Sequence, residues 1–153
     1  MPQYFAHSSP NGNPPPNGWQ LLRDHLAGVA ALAKELAKRT GVPELPAAAE
    51  AVGWLHDLGK YRESFQLLIR GLPPLGSKQH KEAGAAYSMQ KGNLPLAFAI
   101  LGHHVGIPNP DDAKIAIKGE DGVGVVNKIE SIAVGECHRR GRKEIRAEQC
   151  VRE

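Results

Sequence analysis

Apolar positions early in the chain recur at alternating spacings of three and four, the period of a helix with one covered face. Leu22, His25, Val29, Leu32 and Leu36 mark that face. Asn17, with Gln20 three residues on, is the expected capping-box start, and Lys38-Arg39 followed by Gly41 and Pro43 is the expected stop. The pattern predicts a second helix from Pro46 to about Gly59. Shorter helices are predicted over 63–70 (ended by Gly71), 79–91 (ended by Gly92) and 96–104, before Gly106 and Pro108. Pro10, Pro14, Pro15 and Pro16 make residues 1–16 an irregular arm. β-Branched residues are sparse before Val105, so no strand is predicted, and the fold class expected is all-α, a compact helical bundle. The domain is placed at 1–118. Beyond it, Gly119, Gly122 and Gly124 form a flexible joint, 125–134 is one more candidate helix, and the rest of a 119–153 extension is charged and apolar-poor.

Composition narrows this little. A chain of 153 residues with 41% hydrophobic content suits one globular domain. Its longest apolar run, 94–101, is too short to cross a bilayer, and no signal peptide is visible after Met1. Cys137 and Cys150 form no Cys-x-x-Cys pair, which points to a reducing, cytoplasmic compartment. The net charge of +3 is partly a property of residues 136–153 and does not identify a nucleic-acid surface.

The chemistry sits in the histidines. Each has a bland reading when taken alone. His25 is a core histidine on an apolar stripe, His56-Asp57 a helix C-terminus, His80 a surface residue opening a helix, and His138 a solvated residue beside Arg139 and Arg140. His7 reads as an arm residue packing on the bundle, the alternative being a polar residue at the mouth of a site. His103-His104 ends an apolar segment, and adjacent helical residues point about 100° apart, so at least one faces the protein. Together, His25, His56, His80, His103 and His104 lie at or beside covered faces of several helices, with Asp57 next to one of them. Buried imidazoles and a carboxylate need partners, and a divalent cation supplies them. The chain has no His-Glu-x-x-His pair for a zinc protease and no Ser or Cys in a nucleophile elbow.

The order His25 … His56-Asp57 … His80 … His103-His104 resembles the HD superfamily of metal-dependent phosphohydrolases. Flanking residues narrow the likeness. Tyr4-Phe5-Ala6-His7-Ser8, Trp19-x-x-Leu22-x-x-His25, His56-Asp57-Leu58-Gly59-Lys60 with Phe65-Gln66, Gln79-His80-Lys81-Glu82-Ala83-Gly84-Ala85 and Ile100-Leu101-Gly102-His103-His104-x-Gly106-x-Pro108 are similar to the HD nuclease domain of the type I CRISPR helicase-nuclease. The resemblance covers residues 4 to about 110. It implies a helical bundle around two metal ions, with His25, His56 and a bridging Asp57 on the first and His80, His103 and His104 on the second. Lys60 would lie against the scissile phosphate. A histidine-rich shell favours manganese, iron, nickel, cobalt or zinc over magnesium.

The resemblance also implies one more Asp on a later helix to complete the first site. Asp111, Asp112 and Asp121 are the aspartates that follow His104, and all read as helix caps or solvated turn residues. The expectation is therefore a shortened form, or a first site closed differently and weak in metal. The activity implied is endonucleolytic cleavage of single-stranded DNA in type I interference. The implied partners are that DNA, a CRISPR helicase subunit or domain and the guide-RNA surveillance complex, with no membrane. Trp19, Trp54 and Phe65 sit at core-like positions, so aromatic stacking on bases finds no support in the sequence, and no Gly-x-x-x-x-Gly-Lys-Ser/Thr loop is present. The rival readings are a phosphohydrolase acting on nucleotides and an inactive helical remnant acting as a binding piece.

Overall fold

Two long helices, α1 (Leu22–Lys38) and α2 (Leu45–Leu55), pack along each other and set the frame of the molecule. Their approach is close because Gly53 faces α1: a Cβ there would meet Ala30 Cα at 2.4 Å. A 3-10 turn over Leu58–Tyr61 leads into α3 (Glu63–Ile69), followed by α4 (Lys81–Gln90), α5 (Leu94–Gly102) and α6 (Pro110–Lys118). This is the helical domain expected. The computed structural model describes residues 3–76, 80–104 and 106–118. Expectations for Gln79, the glycine joint, the 125–134 helix, Asp121, Cys137, His138, Cys150 and the rest of the 119–153 extension lie outside the described residues.

The apolar core has two parts. Ala85, Leu96, Ala97, Ile100, Leu101 and Ala113 are buried where α4, α5 and α6 meet, with Val52 and Leu55 of α2 against them. Ala6, Leu22 and Leu26 form the second, under Tyr4, Trp54 and Tyr61. Asn93 caps α5 by accepting from the Leu96 N–H at 3.1 Å. Asn109 caps α6 in the same way, accepting from Asp111 and Asp112. No helix among the described residues is long and apolar enough to cross a membrane.

α6 lies where the sequence pattern predicts no helix, and three further details differ. First, strands exist: β1 (Phe5–His7) pairs antiparallel with β2 (Gln20–Leu21). Second, α1 begins at Leu22, so Asn17 and Gln20 form no capping box. Gln20 belongs to β2, and the Leu22 N–H that a cap would serve donates to the Tyr4 carbonyl at 2.9 Å. Third, the covered face of α1 is Leu22, Leu26, Ala30 and Ala37, while Leu32 and Leu36 are exposed. Small alanines let α2 approach there, and a period alone does not say which stripe meets the neighbour. Of the three aromatics placed in the core, Phe65 is buried, but Trp19 and Trp54 are only half-buried.

Candidate metal centre

Four helix ends converge on Asp57. His25 lies in the first turn of α1, His56 follows the last residue of α2, His80 precedes α4, and His103 follows α5. Asp57 leaves the helical conformation of α2 (φ −110°, ψ 19°) just after His56, and its side chain is only 4% exposed. One oxygen, Oδ2, lies 3.1 Å from His25 Nε2 and 3.2 Å from His56 Nε2. The other, Oδ1, lies 3.3 Å from His80 Nε2 and 3.6 Å from His103 Nε2. His104 Nε2 is 2.8 Å from His80 Nε2. All six residues singled out for metal in the sequence therefore meet in one place.

Local backbone fixes the ring orientations. The Nδ1–H of His56 donates to the Gly53 carbonyl at 2.8 Å, and that of His103 to the Ile100 carbonyl at 2.6 Å. Each ring is thus tied to a carbonyl in the last turn of its own helix and turns Nε2 inward, the arrangement that prepares an imidazole for a cation. His80 is held through its backbone. Its carbonyl accepts from the Gly59 N–H at 3.1 Å, and a Cβ on residue 59 would meet that oxygen at 2.2 Å. Only glycine permits this approach.

The charges are arranged around one anion. Burial opposes ionisation of Asp57, but polar contacts with His103, His56 and Lys60 outweigh it and hold the carboxyl well below the usual carboxylate range. Burial pushes His80 down to about 4, with Asp57 opposing and Lys60 assisting. His25 and His104 are also lowered, chiefly by burial, and stay neutral. His103 is raised: burial lowers it, but its contacts with Asp57 and the Ile100 carbonyl win.

Residues 22–151 match the family model described as HD domain. The chain belongs to the HD domain family. No curated protein and no solved structure matches it. HD domains as a superfamily are metal-dependent phosphohydrolases, and the donor set here fits a metal. Ligand atoms of His25, His56 and Asp57 lie within 4.8 Å of one another, and so do those of Asp57, His80, His103 and His104. Asp57 Oδ1 and His103 Nε2 are buried with no hydrogen-bond partner, which costs free energy unless something else satisfies them. Pairs of imidazole Nε2 atoms face each other at 3.3 Å (His25 and His56) and 2.8 Å (His80 and His104), as lone pairs do around a shared cation.

Lys60 sits differently from its expected place against a phosphate. It is 6% exposed, and its ammonium donates to Asp57 Oδ2 at 2.8 Å and to the Ala6 carbonyl at 3.3 Å. It orients the carboxylate and ties β1 to it. Asp111 and Asp112, the described candidates for a further ligand, lie exposed in the first turn of α6. They bond Lys114 and Asn109 and belong to neither ligand group. His7 does not pack on the bundle as expected of an arm residue. It is exposed, with its ring edge-on to His25 at a centroid distance of 5.0 Å.

Two supports act through contacts that no local pattern reports. Gln66 grips β1, accepting from the Phe5 N–H at 3.0 Å and donating to the Phe5 carbonyl at 2.8 Å. Its amide also donates to the Lys60 carbonyl at 2.8 Å. The Gly59 contact with His80 is the other. A glycine one turn after a ligand pair is the only sequence signal for it, and glycine has many commoner uses.

Proposed function

We propose that the chain is a two-metal phosphodiesterase whose substrate is single-stranded DNA, acting in CRISPR type I interference. The observation that carries the hydrolytic part is the shared carboxylate: Asp57 presents Oδ2 to one histidine group and Oδ1 to the other. His25, His56 and Asp57 would hold one ion, and His80, His103, His104 and Asp57 the second, with manganese, iron, nickel, cobalt or zinc suiting the imidazoles. A bound pair of divalent cations supplies Lewis acidity toward the phosphate and toward the attacking water.

The chain's own residues supply the rest. Neutral His25, His80 and His104 need not lose a proton to bind. Lys60 keeps Asp57 ionised and aimed, and the anchored rings of His56 and His103 avoid reorganisation when a charged substrate arrives. One carboxylate among six donors leaves a loaded site strongly cationic, which favours a polyanionic strand. The DNA substrate, the helicase and guide-RNA partners and a cytoplasmic setting rest on the sequence resemblance described above.

The test is direct. Protein loaded with manganese is given a labelled single-stranded oligonucleotide and, separately, mononucleotides. The reading expects internal cleavage of the strand and little phosphate release. Phosphate release without strand cleavage would make the chain a nucleotide phosphohydrolase. Failure to take up metal would leave a binding piece.

A further inference from the structure

His7 has no role in either ligand group, yet the fold aims it at the site. β1 carries an irregularity: Phe5 pairs with Leu21 and His7 with Gln20, so one extra residue, Ala6, is accommodated between them. Such bulges redirect the side chain that follows and recur beside active sites. Here Phe5 and Ala6 are buried, and His7 is turned outward over His25. The bulge is held at each point. Gln66 bonds both backbone groups of Phe5, and Lys60 bonds the Ala6 carbonyl while holding Asp57. One ammonium therefore fixes the bridging carboxylate and the strand that carries His7 together. The imidazole takes no part in the hydrogen bonds that hold the strand, and its ring meets the edge of the His25 ring.

Building on the phosphodiesterase reading, we propose that His7 is a substrate-contacting residue, its ring N–H donating to a non-bridging oxygen of the phosphodiester. It would line the mouth on the α1 side, across from the exposed His104. A ring that needs no partner for folding, standing beside ligand imidazoles, is free to meet an anion drawn there by the cations. A hydrogen bond to a charged oxygen is among the stronger ones, and its loss corresponds to about a tenfold weakening.

The experiment compares His7→Ala and His7→Gln with the parent protein, using bis(p-nitrophenyl) phosphate with manganese for kinetics. In parallel, inorganic phosphate is titrated into the zinc-treated parent while the His7 ring resonance is followed. The proposal expects unchanged metal stoichiometry and melting in both variants, KM up about tenfold in His7→Ala with kcat within a few-fold, and partial recovery in His7→Gln through its amide N–H. The His7 resonance should move and saturate with phosphate. An unchanged KM together with a stationary resonance would overturn it. So would loss of a metal ion in His7→Ala, which would make His7 a ligand, or a fall in melting temperature, which would make it structural. Absence of zinc and manganese uptake by the parent would sink the phosphodiesterase reading and this proposal with it, whereas metal uptake with an unchanged KM and a stationary resonance would overturn the proposal alone.

Discussion

His25 and His56 are brought together by two long helices packed along their length, whereas His80, His103 and His104 come from the ends of shorter segments. The inner pair is 14% and 12% exposed at the side chain, against 20% and 17% for His80 and His103, and His104 is exposed outright. The inner group depends on helix packing, with Gly53 against Ala30 as its tightest point. The outer group depends on α4 and α5 packed onto α2, with Gly84 against the Leu55 carbonyl, and on Gly59 against the His80 carbonyl. Asp57 alone belongs to both. Both groups are thus set by the fold, the inner one by α1 against α2 and the outer one by α4 and α5 against α2, and they meet at one carboxylate.

Breaking the shared member should have the largest effect. Asp57→Asn keeps the shape, and both ions should be lost together with activity, by about a thousandfold. Metal analysis showing one ion retained would mean the groups do not share it. Gly59→Ala should separate them: His80 must move, and affinity for one ion should fall about 10–100-fold while the other stays. Calorimetric titration with zinc resolves the two events, and equal loss at both would erase the distinction. Lys60→Met removes a buried cation from Asp57 and the donor from Ala6. Denaturant titration should show about 2 kcal/mol lost, within the range for stranding buried polar groups, with both ions still bound.

The smallest effect concerns pH. His80 titrates near 4 in the folded state and at 6.5 ordinarily, so between these values the unfolded chain holds the extra proton. Its contribution to stability is complete above pH 6.5 and declines as pH falls toward 4. Metal-free protein melted across that window should lose stability steadily on acidification. His80→Gln should flatten the slope.

Five of the six helices and the ligand order were legible in the sequence because apolar period, glycine stops and histidine placement all agree, whereas α6, polar at its start and flanked by Pro108 and Gly119, was not. The strands were not. β2 is two residues long, and its pairing with β1 joins segments separated by a proline-rich turn, which no local pattern reports. The mistaken choice of Leu32 and Leu36 over Ala30 and Ala37 has a related cause. Alanine is a weak hydrophobic signal, yet it is what close helix packing selects. The place of Lys60 against a phosphate is implied by the resemblance alone, whereas its contacts depend on β1, a tertiary neighbour.

Because every histidine of the two ligand groups is borne by the tip of a helix, the geometry is sensitive to length more than to content. Swapping side chains along the middle of α2 or α5 leaves the tips where they are. Adding or deleting one residue turns a tip by about 100° and carries its imidazole off the pocket. Drift by substitution is open to such a domain, while insertions and deletions inside its helices are closed.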